Sequence, residues 1–289
     1  VYSNFETLIN AAAAPISAVM FGTGMTTLTT ASDNGTFTTM TAAQAASIAV
    51  TVDQTTATYA LGAATGTSDV LGLVFGTGSK ATTATDSGAL TVTGFETLNI
   101  TANGGPTATP GAATTTVIAG LTGATLNTVN MTGTAVTLTA ADTTVAAAFN
   151  AAALTGSGAA SSLGLTIGGT TFITGSTVTG SAFVDNVTLD AGTEGVTLSL
   201  GAGNDKVATD IASLVADGVN DGSIDGGDGT DTITTSNVTT VLTDNHFIKL
   251  SNMEKLTLTN TTGDASITTG GAFNAAFASG ATIATGTIA

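Results

Sequence analysis

Short alternating runs, in which Thr or another small residue trades places with Val, Leu or Ile, recur along this chain: "ALTVTGFETLNITA" (89–102), "AVTLTAA" (135–141), "LGLTIGG" (163–169), "DNVTLDA" (185–191), "GVTLSLG" (195–201) and "KLTLTN" (255–260). Alternation with period two marks a half-buried strand, and Thr and β-branched residues suit a pleated surface. Gly, Asn, Asp and Ser separate the runs, which is turn chemistry. The residues available to fill a core are small: 42% of the chain is hydrophobic but only 4% aromatic. A compact globule needs bulkier side chains, whereas a stack of thin β-layers is filled by Val, Leu, Ile and Ala. Helix signals are confined to "TMTAAQAASIAVTV" (39–52) and "DIASLVADGV" (210–219), each good for a turn or two, and the three prolines (15, 106, 110) fall in expected loops. The fold class expected is all-β.

Internal repetition sharpens this. "NFETLIN" (4–10), "GFETLNI" (94–100) and "NMEKLTL" (252–258) share a Phe or Met, then Glu, then Leu two places on. A second unit is glycine-rich with a fixed Asp: "TGTSDVLGL" (65–73), "GSAFVDNVTL" (180–189), "LGAGNDKVA" (200–208) and "GGDGTDTIT" (226–234). The two units alternate in order but at loose spacing, as in a parallel β-solenoid or β-roll with irregular rungs and inserted loops.

Composition excludes several functions. The 289 residues carry a net charge of −16, with four Lys and no Arg, so neither nucleic acid nor an anionic membrane is an expected partner. Cations are. Without Cys there is no disulfide to fix a redox compartment, and apolar runs such as "VAAAFNAAAL" (145–154) are too short to cross a bilayer. The length suits one elongated domain or two compact ones. "VYSNFETLIN" opens inside a recurring motif and "SGATIATGTIA" stops in mid-pattern, so the chain is read as a segment of a larger protein.

Half of the 20 acidic residues lie between Asp185 and Asp231. An isolated Asp-Gly pair is ordinary turn chemistry, but the glycine spacing here asks for more. Gly226-Gly227-Asp228-Gly229-Thr230-Asp231-Thr232-Ile233 fits G-G-x-G-x-D-x-U, a calcium-binding β-roll repeat, and Leu200-Gly201-Ala202-Gly203-Asn204-Asp205-Lys206-Val207 fits it at all but the first glycine. Calcium takes six to eight hard oxygen ligands. Glycines let a tight loop turn its carbonyls inward, Asp adds a charged oxygen, and stacked loops share an ion, each supplying half a site. The candidate metal ligands are therefore Asp185, Gly201, Gly203, Asn204, Asp205, Asp225, Gly226, Gly227, Asp228, Gly229 and Asp231, with Asp217 and Asp221 as further carboxylates in the intervening stretch, and Ca²⁺ is the expected cofactor. The 26-residue step from Asp205 to Asp231 departs from the nine- or eighteen-residue spacing of a regular roll.

"LGAGNDKV", "GSIDGGDGTDTI" and "NMEKLTL", with "ATGTSDVLGL" and "GFETLNITA" as an earlier copy, resemble RTX-type proteins, and among them bacterial surface-layer proteins and related large surface proteins exported by type I secretion. The composition agrees over the whole chain, the motifs over about a third of it. The resemblance implies a right-handed parallel β-solenoid, calcium-dependent folding after export, and lateral assembly of copies into a two-dimensional lattice at the cell surface, with cell-surface polysaccharide as a further partner. The missing tandem run of nonapeptides favours the surface-layer branch over a toxin. On this basis residues 1–179 are expected to form a solenoid domain with F-E-x-L repeats, 180–235 the calcium-binding rungs, and 236–289 continuing rungs.

The remaining conspicuous residues are read structurally. Glu6, Glu96 and Glu254 are expected to take backbone N–H groups at solenoid corners, with calcium ligation as the minority role. His246 has no second His or Cys for a metal site or a nucleophilic relay. Thr runs such as "TTLTTAS" lack the fixed spacing of an ice-matching face. No G-x-S-x-G or H-E-x-x-H motif is present, and a carbohydrate-cleaving solenoid would be expected to add Arg or Lys. The expected function is non-enzymatic: a structural component of a surface layer, with a calcium-stabilised adhesin segment as the alternative.

Overall fold

The computed structural model describes residues 5–22, 24–76, 87–103, 115–139, 141–143, 147–156, 163–170, 172–190, 193, 195–215, 221–236, 241–259 and 266–285. The protein is a parallel β-solenoid. Strands alternate between two long sheets: sheet I, of eleven strands, runs from Thr7–Asn10 to Leu250–Ser251, and sheet II, of thirteen, from Ile16–Ser17 to Thr282–Thr285. Both sheets run across the boundaries near residues 180 and 236 without a break in strand order.

The sequence pattern explains the two layers. Along sheet II, Leu138, Ile167, Val187, Val207, Ile233 and Leu256 occupy one register column, and all are buried. Along sheet I, Val129, Phe149, Val178, Leu198, Ile224 and Leu250 do the same. Burying each such apolar side chain contributes about 1.5–3 kcal/mol, so the core is a ladder of modest terms spread over the rungs.

The unit step is 20 residues: Leu8 pairs with Leu28, Leu28 with Ile48, Val129 with Phe149, and Val178 with Leu198. Longer rungs carry insertions, as in the 26-residue steps from Leu198 to Ile224 and from Ile224 to Leu250. In the first of these the extra length does not fall at the glycine turn. Val178 to Val187, Leu198 to Val207 and Ile224 to Ile233 each cross from a sheet I column to a sheet II column in nine residues. The surplus follows the strand Lys206–Asp210, where the 3₁₀ turn Ala212–Leu214 sits at the opposite edge.

Helical expectations are met sparingly. Within 39–52 only Ala42–Ala45 is helical, opened by a Thr41–Gln44 capping box, and Ile48–Val50 is already a strand; within 210–219 the described residues form the 3₁₀ turn alone. The alternating stretch 89–102 is two strands, Ser87–Thr93 in sheet II and Thr97–Ala102 in sheet I, because Gly94 (φ 77°) turns the corner between them. At the C-terminal end, helix Gly271–Ala276 covers the last strand of sheet I, and Phe247, Phe273 and Phe277 pack edge-on or tilted beside it. Among the described residues no helix is long and apolar enough to cross a membrane.

Candidate metal centre at the stacked glycine turns

The turns 200–205 and 226–231 stack directly: Ala202 pairs with Asp228 and Gly203 with Gly229 in a small parallel sheet, and the N–H of Asp228 donates to the carbonyl of Gly201 at 2.8 Å. They share a backbone conformation. Gly201 and Gly227 have φ of 101° and 94°, Gly203 and Gly229 of 151° and 149°, values that L side chains rarely adopt. The turns also sit so close that a Cβ on Gly227 would overlap the carbonyl of Gly201, and one on Gly229 that of Gly203. Gly226 has no positive φ, and its counterpart Leu200 keeps the same turn without the first glycine.

Inside these turns the carboxylates form a ladder, one per rung. Asp231 Oδ1 accepts from the N–H of Asp205 at 2.7 Å, Asp205 Oδ1 from the N–H of Asp185 at 2.8 Å, and Asp185 Oδ1 from the N–H of Leu165 at 2.5 Å. Glu254 continues it, with Oε2 accepting from the N–H of Asp231 at 2.7 Å. Asp185, Asp205 and Asp231 are fully buried. Burial pushes the Asp205 carboxyl up to about 7, and the negative charges of Asp185 and Asp231 on the neighbouring rungs add to the rise. Asp185 and Asp231 are also raised, first by burial and, for Asp231, by Glu254, Asp225 and Asp228.

The three aspartates differ in what remains free. Asp185 has both oxygens engaged: Oδ2 takes the N–H of Ser181, and Oδ1 takes the Ser181 hydroxyl as well as Leu165. Asp205 Oδ2 and Asp231 Oδ2 are buried with no hydrogen-bond partner. A buried carboxylate oxygen without a donor costs free energy unless a cation or proton supplies the missing partner.

The other expected ligands are placed around this pair. Asn204 is exposed and ties the turns together, its Oδ1 accepting from the N–H of Thr230 at 2.9 Å. Asp225 lies at the end of a sheet I strand, where Oδ1 accepts from Asn252 Nδ2 at 2.7 Å, and Asp228 is exposed. Asp221 pairs with the buried ammonium of Lys249 at 3.1 Å, while Asp217 lies outside the described residues. Among the described residues no three His, Asp or Glu side chains converge on one point as a metal cluster. The donor set that fits a hard cation is thus two carboxylates one rung apart plus main-chain carbonyls of the glycine turns.

Glu96 and Glu254 are corner residues whose oxygens serve backbone N–H groups, Glu96 Oε2 taking that of Asp69 at 2.8 Å. Glu254 as the last member of the acid ladder is not apparent from the glycine motif, since its own turn has none. His246 lies in a 3₁₀ turn, where Nδ1 accepts from the N–H of Thr243 at 3.1 Å.

The chain matches no family model, no curated protein and no solved structure.

Proposed function

We propose that this chain is a structural segment of a bacterial surface layer: a calcium-stabilised solenoid outside the cell that packs side by side with copies of itself. One observation carries the reading, namely that two stacked glycine turns each leave a fully buried Asp with an oxygen that nothing in the protein satisfies. Asp205 and Asp231, with carbonyls of the 201–203 and 227–229 turns, would hold the ion, and Asn204 would keep the turns in register. Bound calcium supplies the two positive charges that this buried pair lacks. The other aspartate oxygens of the ladder, and Oε2 of Glu254, are committed to backbone N–H groups, so the reading assigns them no catalytic step. A lattice also suits a molecule whose strands present mostly Thr, Ser, Asn and Ala outward over many rungs.

The test is a calcium titration followed by circular dichroism and calorimetry, with Asp231→Ala and Asp205→Ala beside the parent, and electron microscopy of the loaded protein. A ligand at a hundred times its dissociation constant stabilises by about 2.7 kcal/mol, which in a chain of this size raises the melting temperature by roughly 4–5 °C. That rise should vanish in both variants, and the loaded parent should form ordered sheets. Melting indifferent to chelator would remove the calcium reading.

An adhesin segment is the second reading. A groove of about 590 Å³ runs beside the same turns, lined among others by Thr179, Ser199, Asp225 and Asp228, whose hydroxyls and carboxylates suit sugar hydroxyls. Calcium-loaded protein that stays dispersed until given a glycan would favour it.

A further inference from the structure

At Gly226 the backbone alone does not call for glycine. The turns 180–185, 200–205 and 226–231 and the corner 252–254 are successive rungs at one edge of the solenoid. The registers beside them place Gly180, Leu200, Gly226 and Asn252 in one column, and Asp185, Asp205, Asp231 and Glu254 in another. Gly226 has no positive φ, and Leu200 carries a side chain at the same level. The next rung is what excludes one at 226: a Cβ there would overlap the main-chain oxygen of Asn252 and lie 2.7 Å from Asp231 Oδ2. A carbonyl oxygen and a carboxylate oxygen from adjacent rungs thus face one small space. The 180–185 turn has the same arrangement and closes it with its own donor. A Cβ on Gly180 would overlap the Leu200 oxygen and lie 2.5 Å from Asp185 Oδ2, but there Oδ2 accepts from the Ser181 N–H at 2.6 Å. At the matching place stands Gly227, with φ of 94°, and the buried Asp231 Oδ2 has no hydrogen-bond partner. Two acceptor oxygens out of water call for a cation or a proton between them.

We infer that a second divalent cation binds here, between the 226–231 turn and the 252–254 corner. Its protein ligands are Asp231 Oδ2 and the main-chain oxygen of Asn252, with Glu254 and Asp225 as flanking charge. The inference rests on the calcium reading and extends it, since Asp231 is then shared by this ion and the one between the glycine turns. Ligand oxygens lie about 2.3–2.6 Å from a bound calcium, so two oxygens that face the same glycine can share one ion. Asn252 is itself held left-handed, at φ 51°, and its Nδ2 is engaged by Asp225 Oδ1 at 2.7 Å, which fixes the residue that presents the carbonyl. Glu254 is drawn onto the same rung by the Asp231 N–H, which its Oε2 accepts at 2.7 Å. Charge agrees. Asp185, Asp205, Asp231 and Glu254 put one carboxylate on each of consecutive rungs, and a single divalent ion answers only two of the four. Asp228, Gly229 and Thr230 are exposed beside the short corner, so water reaches this edge and completes the shell.

Counting ions tests this. Native mass spectrometry of the full chain at increasing free calcium reads both number and affinity, and circular dichroism checks folding. The set is the parent, Gly226→Ala, Asp205→Asn, Asp231→Asn and Glu254→Gln. Gly226→Ala puts a methyl group into the proposed site and should bind one ion fewer than the parent. Asp205→Asn should lose the ion between the glycine turns, and Asp231→Asn should lose both. Glu254→Gln keeps an acceptor for the Asp231 N–H and guards against a Gly226→Ala that fails to fold. It should weaken one ion at least about tenfold and leave the other tight, because ligand charge tunes calcium affinity. A folded Gly226→Ala with the parent's full count, an Asp231→Asn that loses a single ion, or a Glu254→Gln that binds like the parent would overturn the second site. The calcium reading is judged apart from it. If Asp205→Asn and Asp231→Asn each lose the same one ion while Gly226→Ala and Glu254→Gln lose none, that reading stands and this site falls. A parent that takes up no calcium sinks both and leaves a proton between the two oxygens.

Discussion

Two corners of the solenoid use the same device on opposite edges. At one, Gly94 (φ 77°) and buried Phe95 lead into Glu96, which takes the N–H of Asp69 one rung back; at the other, Asn252 (φ 51°) and buried Met253 lead into Glu254, which takes the N–H of Asp231. Asp69 and Asp231 return the favour, each carbonyl accepting from the Glu N–H and from the next residue's. Here the likeness ends. Beyond Glu96 the aligned position is Asn127, whereas before Asp231 the column runs on through Asp205 and Asp185. A single carboxylate suffices to lock two rungs. Three fully buried carboxylates in consecutive rungs go beyond what locking requires, and they put like charges against one another where water cannot screen them. The comparison therefore separates a rung lock, which both corners have, from a charge-collecting column, which only the glycine-turn edge has.

Glycine replacement should have the largest effect. Gly229→Ala forces a side chain into a φ of 149° and onto the Gly203 carbonyl, and is expected to destabilise by about 3 kcal/mol or more, strain of 1–3 kcal/mol being added to the overlap. Gly24→Ala, with no atom within 4 Å of the new methyl and no positive φ, should be close to neutral. Chemical unfolding of both variants checks the contrast. Equal effects would mean that the turns at 201–203 and 227–229 do not stack as closely as described.

Much of this was legible in the residues, and the failures have physical causes. Alternation gave away the strands because one face of each sheet is solvated, and the G-x-G-x-D spacing gave away the two turns because positive φ at the second and third glycine admits little else. The corner inside 89–102 was hidden because the inward parity of Leu90 and Val92 resumes at Leu98 and Ile100 as it would along one strand; the break is Phe95, buried at the outward parity. The 26-residue step between Asp205 and Asp231 looked like a broken period because the sequence shows only the whole rung. The nine-residue crossing that carries the motif is constant, and the insertion lies at the other edge. Nor does sequence separate the aspartates within one motif: Asp228 and Asp231 are three residues apart, yet one is exposed and the other buried beneath the next rung.

Acidity should sharpen the comparison through the column's own charge. Asp205 is raised to about 7 against an ordinary 3.8, so the folded state binds more protons than the unfolded one between those values. The contribution of Asp205 to stability in chelator is then fully present below about 3.8 and is lost as pH rises through about 7. Melting temperatures in EDTA should fall between pH 4.5 and pH 8, Asp205→Asn should flatten that fall, and saturating calcium should do likewise in the parent. A chelated protein equally stable at both pH values would deny the column its crowded charge.

The smallest effects belong to the rung lock itself. Glu96→Gln and Glu254→Gln both keep an acceptor oxygen for the Asp N–H, and removing a charge from that hydrogen bond should cost no more than about 1 kcal/mol at Glu96. At Glu254 the same change also removes a negative charge beside Asp231, whose carboxyl Glu254 helps to raise, so part of the loss is offset. Alanine at either position leaves the N–H without its acceptor and should cost about 1–3 kcal/mol. The informative quantity is the difference between the two glutamines. Urea unfolding in chelator should find Glu254→Gln closer to the parent than Glu96→Gln, and saturating calcium should shrink that advantage, since a cation near Asp231 makes the lost negative charge useful again. Identical behaviour of the two would mean that Glu254 is a lock like Glu96 and that the charged column ends at Asp231.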